Sequence, residues 1–209
     1  RFREYGVTSR DVQVLFSGIV GNNRPWKQYY TRVSGVVSPH NVDANVAAMY
    51  ELIDPSFTPP NHAFLFTDEL PATGESAEVI TIDWGAVMYN SRFVYDVDSN
   101  QYFRYMLQKN DEEVAYEDKY TQEQLAFSNL IVQHTTVTWN GSSDAPVTVH
   151  IGEGNADIFM GGKYIAGYWK RADANSRTVF YDAEGNEIAL QRGKTFISII
   201  PAETTVSYE

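Results

Sequence analysis

The 209-residue chain contains no cysteine. Disulfides, thiolate nucleophiles, cysteine-ligated zinc and iron–sulfur clusters are therefore excluded for this stretch of polypeptide. The absence names no compartment, because a bacterial envelope protein can fold without disulfides. Long apolar runs are also missing: nothing approaches the roughly 20 residues that a membrane-spanning helix needs. The first residues, RFREYGVTSR, hold neither a signal-peptide core nor an initiator methionine and read as a cut end. Positive charge is scarce. Sixteen Lys and Arg against 27 Asp and Glu give a net charge of −11, which repels phosphate backbones and leaves no basic stripe for nucleic acid or anionic lipid.

What is present describes a folded protein. At 43% hydrophobic and 14% aromatic residues the chain can bury a real core, and its length suits one compact unit or two small ones. No linker, repeat or low-complexity segment divides it, so residues 1–209 are expected to form a single compact unit. Residues 1–125 and 126–209 are its possible lobes. The clearest helical pattern covers residues 41–53, where Val42, Val46, Met49, Tyr50 and Ile53 share one face, Asn41 stands as N-cap and Pro55 lies past the end. A second, short helix is predicted over 121–127 from the capping box of Thr121 and Gln124. AEVITIDW reads as a strand. The last eighty residues alternate apolar and polar through LIVQHTTVTW, PVTVHI, ADIFM, KYIAGYWK, RTVFY, EIAL and KTFISII, with turn signals at Asn140-Gly141, Gly152 to Asn155, Gly161-Gly162, Asp182 to Asn186 and Gly193. That spacing predicts an antiparallel meander.

Several patterns in fixed order resemble one family. Arg32 followed by Pro39-His40-Asn41, Tyr95-Asp96 with Tyr102 and Arg104, Asp118, the strand NLIVQ at Asn129 to Gln133, then Gly152, Gly154, Gly162, Lys163, Trp169, Gly193, Lys194 and Pro201 resemble the YerB-like lipoproteins of Gram-positive bacteria, a domain of unknown function in its late N-terminal part plus its C-terminal part. The resemblance covers about residues 30 to 208. Val33 and Val36 depart from it, standing where the family carries charge. It implies an α+β fold, a layered sandwich of mainly antiparallel sheets with few helices on one side. It also implies a protein held outside the cytoplasmic membrane by a lipid on a cysteine upstream of Arg1, and it names no activity.

Candidate chemistry gathers at few positions. His40, at a predicted helix start with Arg32 nearby, would suit a carboxylate or phosphate. Equally, Pro39 sets the entry angle, Asn41 caps, and His40 bonds to a neighbouring strand. Asp96-Val97-Asp98-Ser99-Asn100 has the oxygen spacing of a calcium loop's start, but Gln101 and Leu107 replace the required glycine and acid, so a β-turn between Tyr95 and Tyr102 is expected instead. Arg104, inside an aromatic strand, needs a carboxylate such as Asp96 or Asp118, or else a place at the surface. Gly152-Glu153-Gly154-Asn155 lacks the third glycine of a nucleotide loop and reads as a hairpin turn. His62, His134 and His150 show no zinc spacing, and no Gly-x-Ser-x-Gly elbow exists. Among the fourteen tyrosines and four tryptophans, Trp169 is expected to pack rather than to bind sugar.

The expectation is an extracytoplasmic binding domain without cofactor or metal. Its ligand, a small anionic, glycan or protein partner at the cell envelope, would meet Arg32, His40, Asn41, Tyr95, Asp96 and Arg104. Nucleic acid is not expected, and membrane only through the upstream lipid. Two alternatives stay open: an envelope hydrolase pairing His40 with Asp96 or Asp118, and a purely structural role in envelope assembly.

Overall fold

Contacts within the chain cluster into two units, Arg1–Asn61 and His62–Glu209. The computed structural model describes residues 27–37, 41–51, 55–56, 63–85, 90–108, 112–139, 146–174 and 176–209.

In the first unit a 3-10 turn, Lys27–Tyr29, leads into strand β1 (Tyr30–Arg32), which pairs antiparallel with β2 (Val42–Ala44). Helix α1 follows as Val46–Tyr50 only, with Asn45 as its N-cap: the Asn45 side chain accepts from the Ala48 amide at 3.0 Å. The helix expected from Asn41 is thus four residues late at its start. The backbone of residues 42–44 finds its partners in β1 instead, and the asparagine nearest the first free helical amides takes the cap. Val46 and Tyr50, on the face expected to be buried, are exposed. His40, with Ser38 and Pro39, lies outside the described residues.

The second unit is built on two sheets. The first contains β10 (Asn129–Thr135), β13 (Gly152–Met160), β14 (Lys163–Arg171), β15 (Val179–Asp182) and β17 (Thr195–Pro201) in the order β15-β14-β13-β10-β17, with β4 (Glu75–Ser76) on β14. The second runs β18 (Val206–Tyr208), β5 (Val79–Ile82), β6 (Ser91–Asp96), β7 (Gln101–Leu107) and β8 (Glu113–Ala115), with β9 (Ala126–Phe127) on β7. Two smaller pairs complete it: β3 (Phe66–Thr67) with β16 (Leu190–Gln191), and β11 (Val137–Trp139) with β12 (Pro146–Thr148).

Period-two alternation decides which side chains enter the core. Ile80, Ile82, Phe93 and Tyr102 from the second sheet share one buried cluster with Leu130, Val132, Phe159 and Ile200 from the first. The opposite face of the first sheet carries Ile131, Ala156, Ile158, Trp169 and Phe180, packed with Ile188, Leu190 and Phe64. β10 is therefore apolar on both faces, as a central strand should be.

These layers are mainly β, so the expected α+β label fits only loosely: α1 is the one α-helix among the described residues. The simple antiparallel meander is corrected as well, since β17 runs parallel to β10, Leu130 opposite Phe196 and Val132 opposite Ser198. Residues 121–127 form no helix. Asp118 closes a turn by accepting from the Tyr120 and Thr121 amides, both at 2.9 Å, and the chain continues into β9; this local cap out-competes the capping box. Gly152 to Asn155 is not a turn but the start of β13. A side chain at Gly154 would put its Cβ 2.6 Å from the His134 carbonyl and 2.7 Å from Trp169 Nε1, so glycine serves close packing there. The Gly161-Gly162 turn between β13 and β14 is as expected, with φ of 58° and 69° at the two glycines.

Candidate functional site

The two groups of expected ligand residues fall in different units. In the first, the Arg32 guanidinium donates to Asn41 Oδ1, and the Val33 amide to the Asn41 carbonyl at 2.9 Å. Arg32 and Asn41 are thus brought together by the β1–β2 pairing and not by a helix start.

In the second unit, cross-strand pairing sorts the rest. Tyr95 stands opposite Tyr102 and Phe93 opposite Arg104; since Phe93 and Tyr102 belong to the core between the sheets, Tyr95 and Arg104 share the inward face. Asp96, one residue on, has the opposite parity. The Tyr95 hydroxyl donates to Asn100 Oδ1 at 2.8 Å, Asn100 Nδ2 to Gln191 Oε1 at 2.9 Å, and Asn129 Nδ2 to the Gln191 carbonyl at 2.8 Å. Burial, then Asp96, raises the Tyr95 hydroxyl pKa, keeping it a donor. Asn100 holds a left-handed φ of 55°, which asparagine tolerates better than most residues. This chain of polar groups ties the β6–β7 turn to β16 and β10. Tyr95 is a structural link here, its ring lying where a Cβ on Gly162 would come within 2.8 Å.

The expected turn at 97–100 is present. Asp96 caps it, accepting from the Ser99 amide at 2.9 Å and the Ser99 hydroxyl at 2.5 Å, bonds that lower its pKa. Asp118 is lowered likewise by the Thr121 and Tyr120 amides. Both carboxylates proposed as partners of His40 or Arg104 are thus engaged in closing turns.

Arg104 finds neither acid. Its Cζ lies 4.4 Å from the Tyr116 ring centroid and 5.2 Å from that of Phe196, and one terminal nitrogen donates to Ser91 Oγ at 3.1 Å. Its Nε is buried and makes no hydrogen bond among the described residues, and the same holds for Ser198 Oγ. Ser198 and Phe196 share one face of β17, directed at the core between the sheets. Burial pushes the guanidinium pKa down from its ordinary value, while Tyr116 pushes it up; an arginine stays charged in either case. The magnitudes are unequal. Ring contacts stabilise a cation by about 0.5–2 kcal/mol, whereas taking one ion out of water costs several. A half-buried cation that meets no carboxylate among the described residues, beside buried hydroxyls, is chemically suited to accept an anion.

One cluster escaped the sequence reading. His134 Nε2 and Asp157 Oδ2 lie 2.6 Å apart, the Tyr164 hydroxyl donates to Asp157 Oδ1 at 3.0 Å, Tyr164 stacks on Tyr208 at 4.4 Å, and the Tyr208 hydroxyl donates to Glu75 Oε2 at 3.0 Å. Burial first, then Asp157, raises the Tyr164 pKa. These residues belong to five strands, so no sequence spacing announces them; the one signal was an aspartate inside the apolar strand ADIFM. The cluster joins the last strand, β18, to the first sheet. Among the described residues, no three His, Asp or Glu side chains converge to hold a metal.

The arrangement defines a two-sheet sandwich domain with a polar lock and a half-buried arginine that meets no carboxylate among the described residues. A family model described as the C-terminal domain of a protein of unknown function (DUF3048) matches residues 80–197, and the chain belongs to that family: it is a YerB-like domain of unknown function. The crystal structure of the YerB protein from Bacillus subtilis is similar, with a TM-score of 0.64 and 20% identity, across 86% of this chain and 59% of that one. The chain thus spans about three fifths of that protein's length, and at this identity the likeness carries the fold alone. No curated protein matches the chain.

Proposed function

We propose that the chain is a binding domain that receives an anionic group, a carboxylate or a phosphate, at Arg104. The observation that carries this is the half-buried guanidinium set between Tyr116 and Phe196, with its Nε unbonded among the described residues. Ser91 and Ser198 would add hydroxyl donors, and the aromatic walls would exclude water from the charged contact. Arg32 and Asn41 would contribute as a separate polar pair. In this reading the domain works outside the cytoplasmic membrane, held by a lipid anchor that belongs to a longer polypeptide; the motif resemblance supports that address.

Titration with N-acetylglutamate amide and with glycerol phosphate tests the binding claim, the readout being the melting temperature of wild type and Arg104→Met. A ligand at ten times its Kd stabilises a folded protein by about 1.4 kcal/mol, so at least one of the two compounds raises wild-type melting and leaves Arg104→Met unmoved. An identical response in both proteins, or none in either, contradicts the proposal. Radiolabelled palmitate incorporation into the full-length parent protein checks the anchor.

A further inference from the structure

Most sheet edges in the second unit are protected in ordinary ways. β15 has four residues and ends on Asp182, β8 has three and begins with Glu113, and β18 has three. Short length and charge both discourage further strand pairing. β17 has neither protection. It is seven residues long, Thr195–Pro201, contains no charged residue, and among the described residues pairs only through β10. Its outward face presents Ile197 at 39% and Ile199 at 37% exposure. Its inward face carries Phe196, against which Arg104 lies, and Ser198, whose hydroxyl makes no bond among the described residues. An open apolar edge of this length invites a further strand.

From this we infer that β17 accepts an extended segment of a partner protein as an added strand, and that the segment carries an aspartate or glutamate whose carboxylate meets Arg104. The inference rests on the anion reading of Arg104 and names its source. Alternation of side chains along an added strand supplies what the edge lacks: one set covers Ile197 and Ile199, the other turns toward Phe196 and Arg104. A second copy of this chain fits less well. β17 offers no acid, so pairing two β17 edges would leave both guanidiniums without a carboxylate, and two bodies of charge −11 repel.

The probe is a set of eight-residue peptides alternating valine and threonine, with glutamate, glutamine or lysine at a central threonine position. Binding is followed by calorimetry, and amide exchange is read across 195–201. The glutamate peptide is expected to bind at least tenfold tighter than the glutamine peptide and to slow exchange of the β17 amides. Arg104→Met should erase that preference, and Ile199→Lys, at an exposed position, should weaken all three peptides. Equal affinity for the three peptides, unchanged β17 exchange, or self-association of the free chain through this edge overturns the inference. If N-acetylglutamate amide still raises wild-type melting while no peptide slows β17 exchange, only strand addition fails. If the capped amino acid is also without effect, the carboxylate reading of Arg104 falls with it.

Discussion

Two regions of the same sandwich differ in how completely their polar groups are matched. Around β10 and β13, nearly every demanding group has its partner: Asn129 bonds both the amide and the carbonyl of Gln191 and the Thr195 hydroxyl, Trp169 Nε1 donates to the His134 carbonyl at 2.7 Å, and Gly154 leaves room for that contact. Along β17 and the neighbouring stretch of β7, Arg104 Nε and Ser198 Oγ make no bond among the described residues, and two isoleucines face outward. In the proposed reading, stability and recognition are divided between the two. The sealed side holds Asn129, Gly154, Gly162 and Trp169, four of the residues that carry the family resemblance, and these do scaffold work. The other side holds groups that make no such bonds among the described residues, and in the proposed reading their partners come from a ligand.

Substitutions sharpen this contrast by their size. Trp169→Ala should cost about 3–5 kcal/mol in denaturant unfolding, through the cavity and the lost bond to His134; a loss below about 1 kcal/mol would erase the contrast. Asn129→Ala should cost about 2–3 kcal/mol, since it strands the buried amide and carbonyl of Gln191. Smaller effects come from the first unit. Asn45→Ala removes the helix cap and should cost about 1 kcal/mol there, whereas Asn41→Ala should stay within about 0.5 kcal/mol. The reverse order would restore Asn41 as the cap.

Acid gives the mildest probe. Asp96, Asp118 and Asp182 have pKa values lowered by hydrogen bonds that close turns, Ser99 acting on the first, the Thr121 and Tyr120 amides on the second and Asn186 on the third. A carboxylate with a depressed folded pKa contributes stability that is fully present above its unfolded value, near 3.9, and is lost as pH falls through the folded value. Stability should therefore decline below about pH 4, and Asp118→Asn should flatten that decline. A slope unchanged by the substitution would mean that the turn cap contributes nothing.

Local pattern made strands of the core legible: Val79–Ile82 lies in AEVITIDW, Asn129–Thr135, Lys163–Arg171 and Thr195–Pro201 overlap the alternating runs, the Gly-Gly turn followed from its glycines, and Trp169 is buried as its aromatic ring implied. What failed was decided by distant partners. The pairing of β17 with β10 is parallel because of topology, which alternation does not encode. Gly152 to Asn155 looked like a turn because glycine usually marks one, yet Gly154 answers a tryptophan fifteen positions on. The capping box at Thr121 was real as a pattern but lost to Asp118, three residues earlier. For the site, Arg104 was legible as a charge out of place in an aromatic strand. Its surroundings were not, since Tyr116 reaches it through the pairing of β7 with β8 and Phe196 comes from β17, far along the chain.

Denaturant unfolding of Arg104→Met beside wild type, each with and without N-acetylglutamate amide, tests the division most directly. The account predicts that the substitution leaves stability within about 1 kcal/mol of wild type or raises it, because an uncompensated half-buried charge has been replaced by an apolar side chain, and that the response to the ligand disappears. A loss of more than about 2 kcal/mol together with an intact response would make Arg104 part of the scaffold and contradict the account.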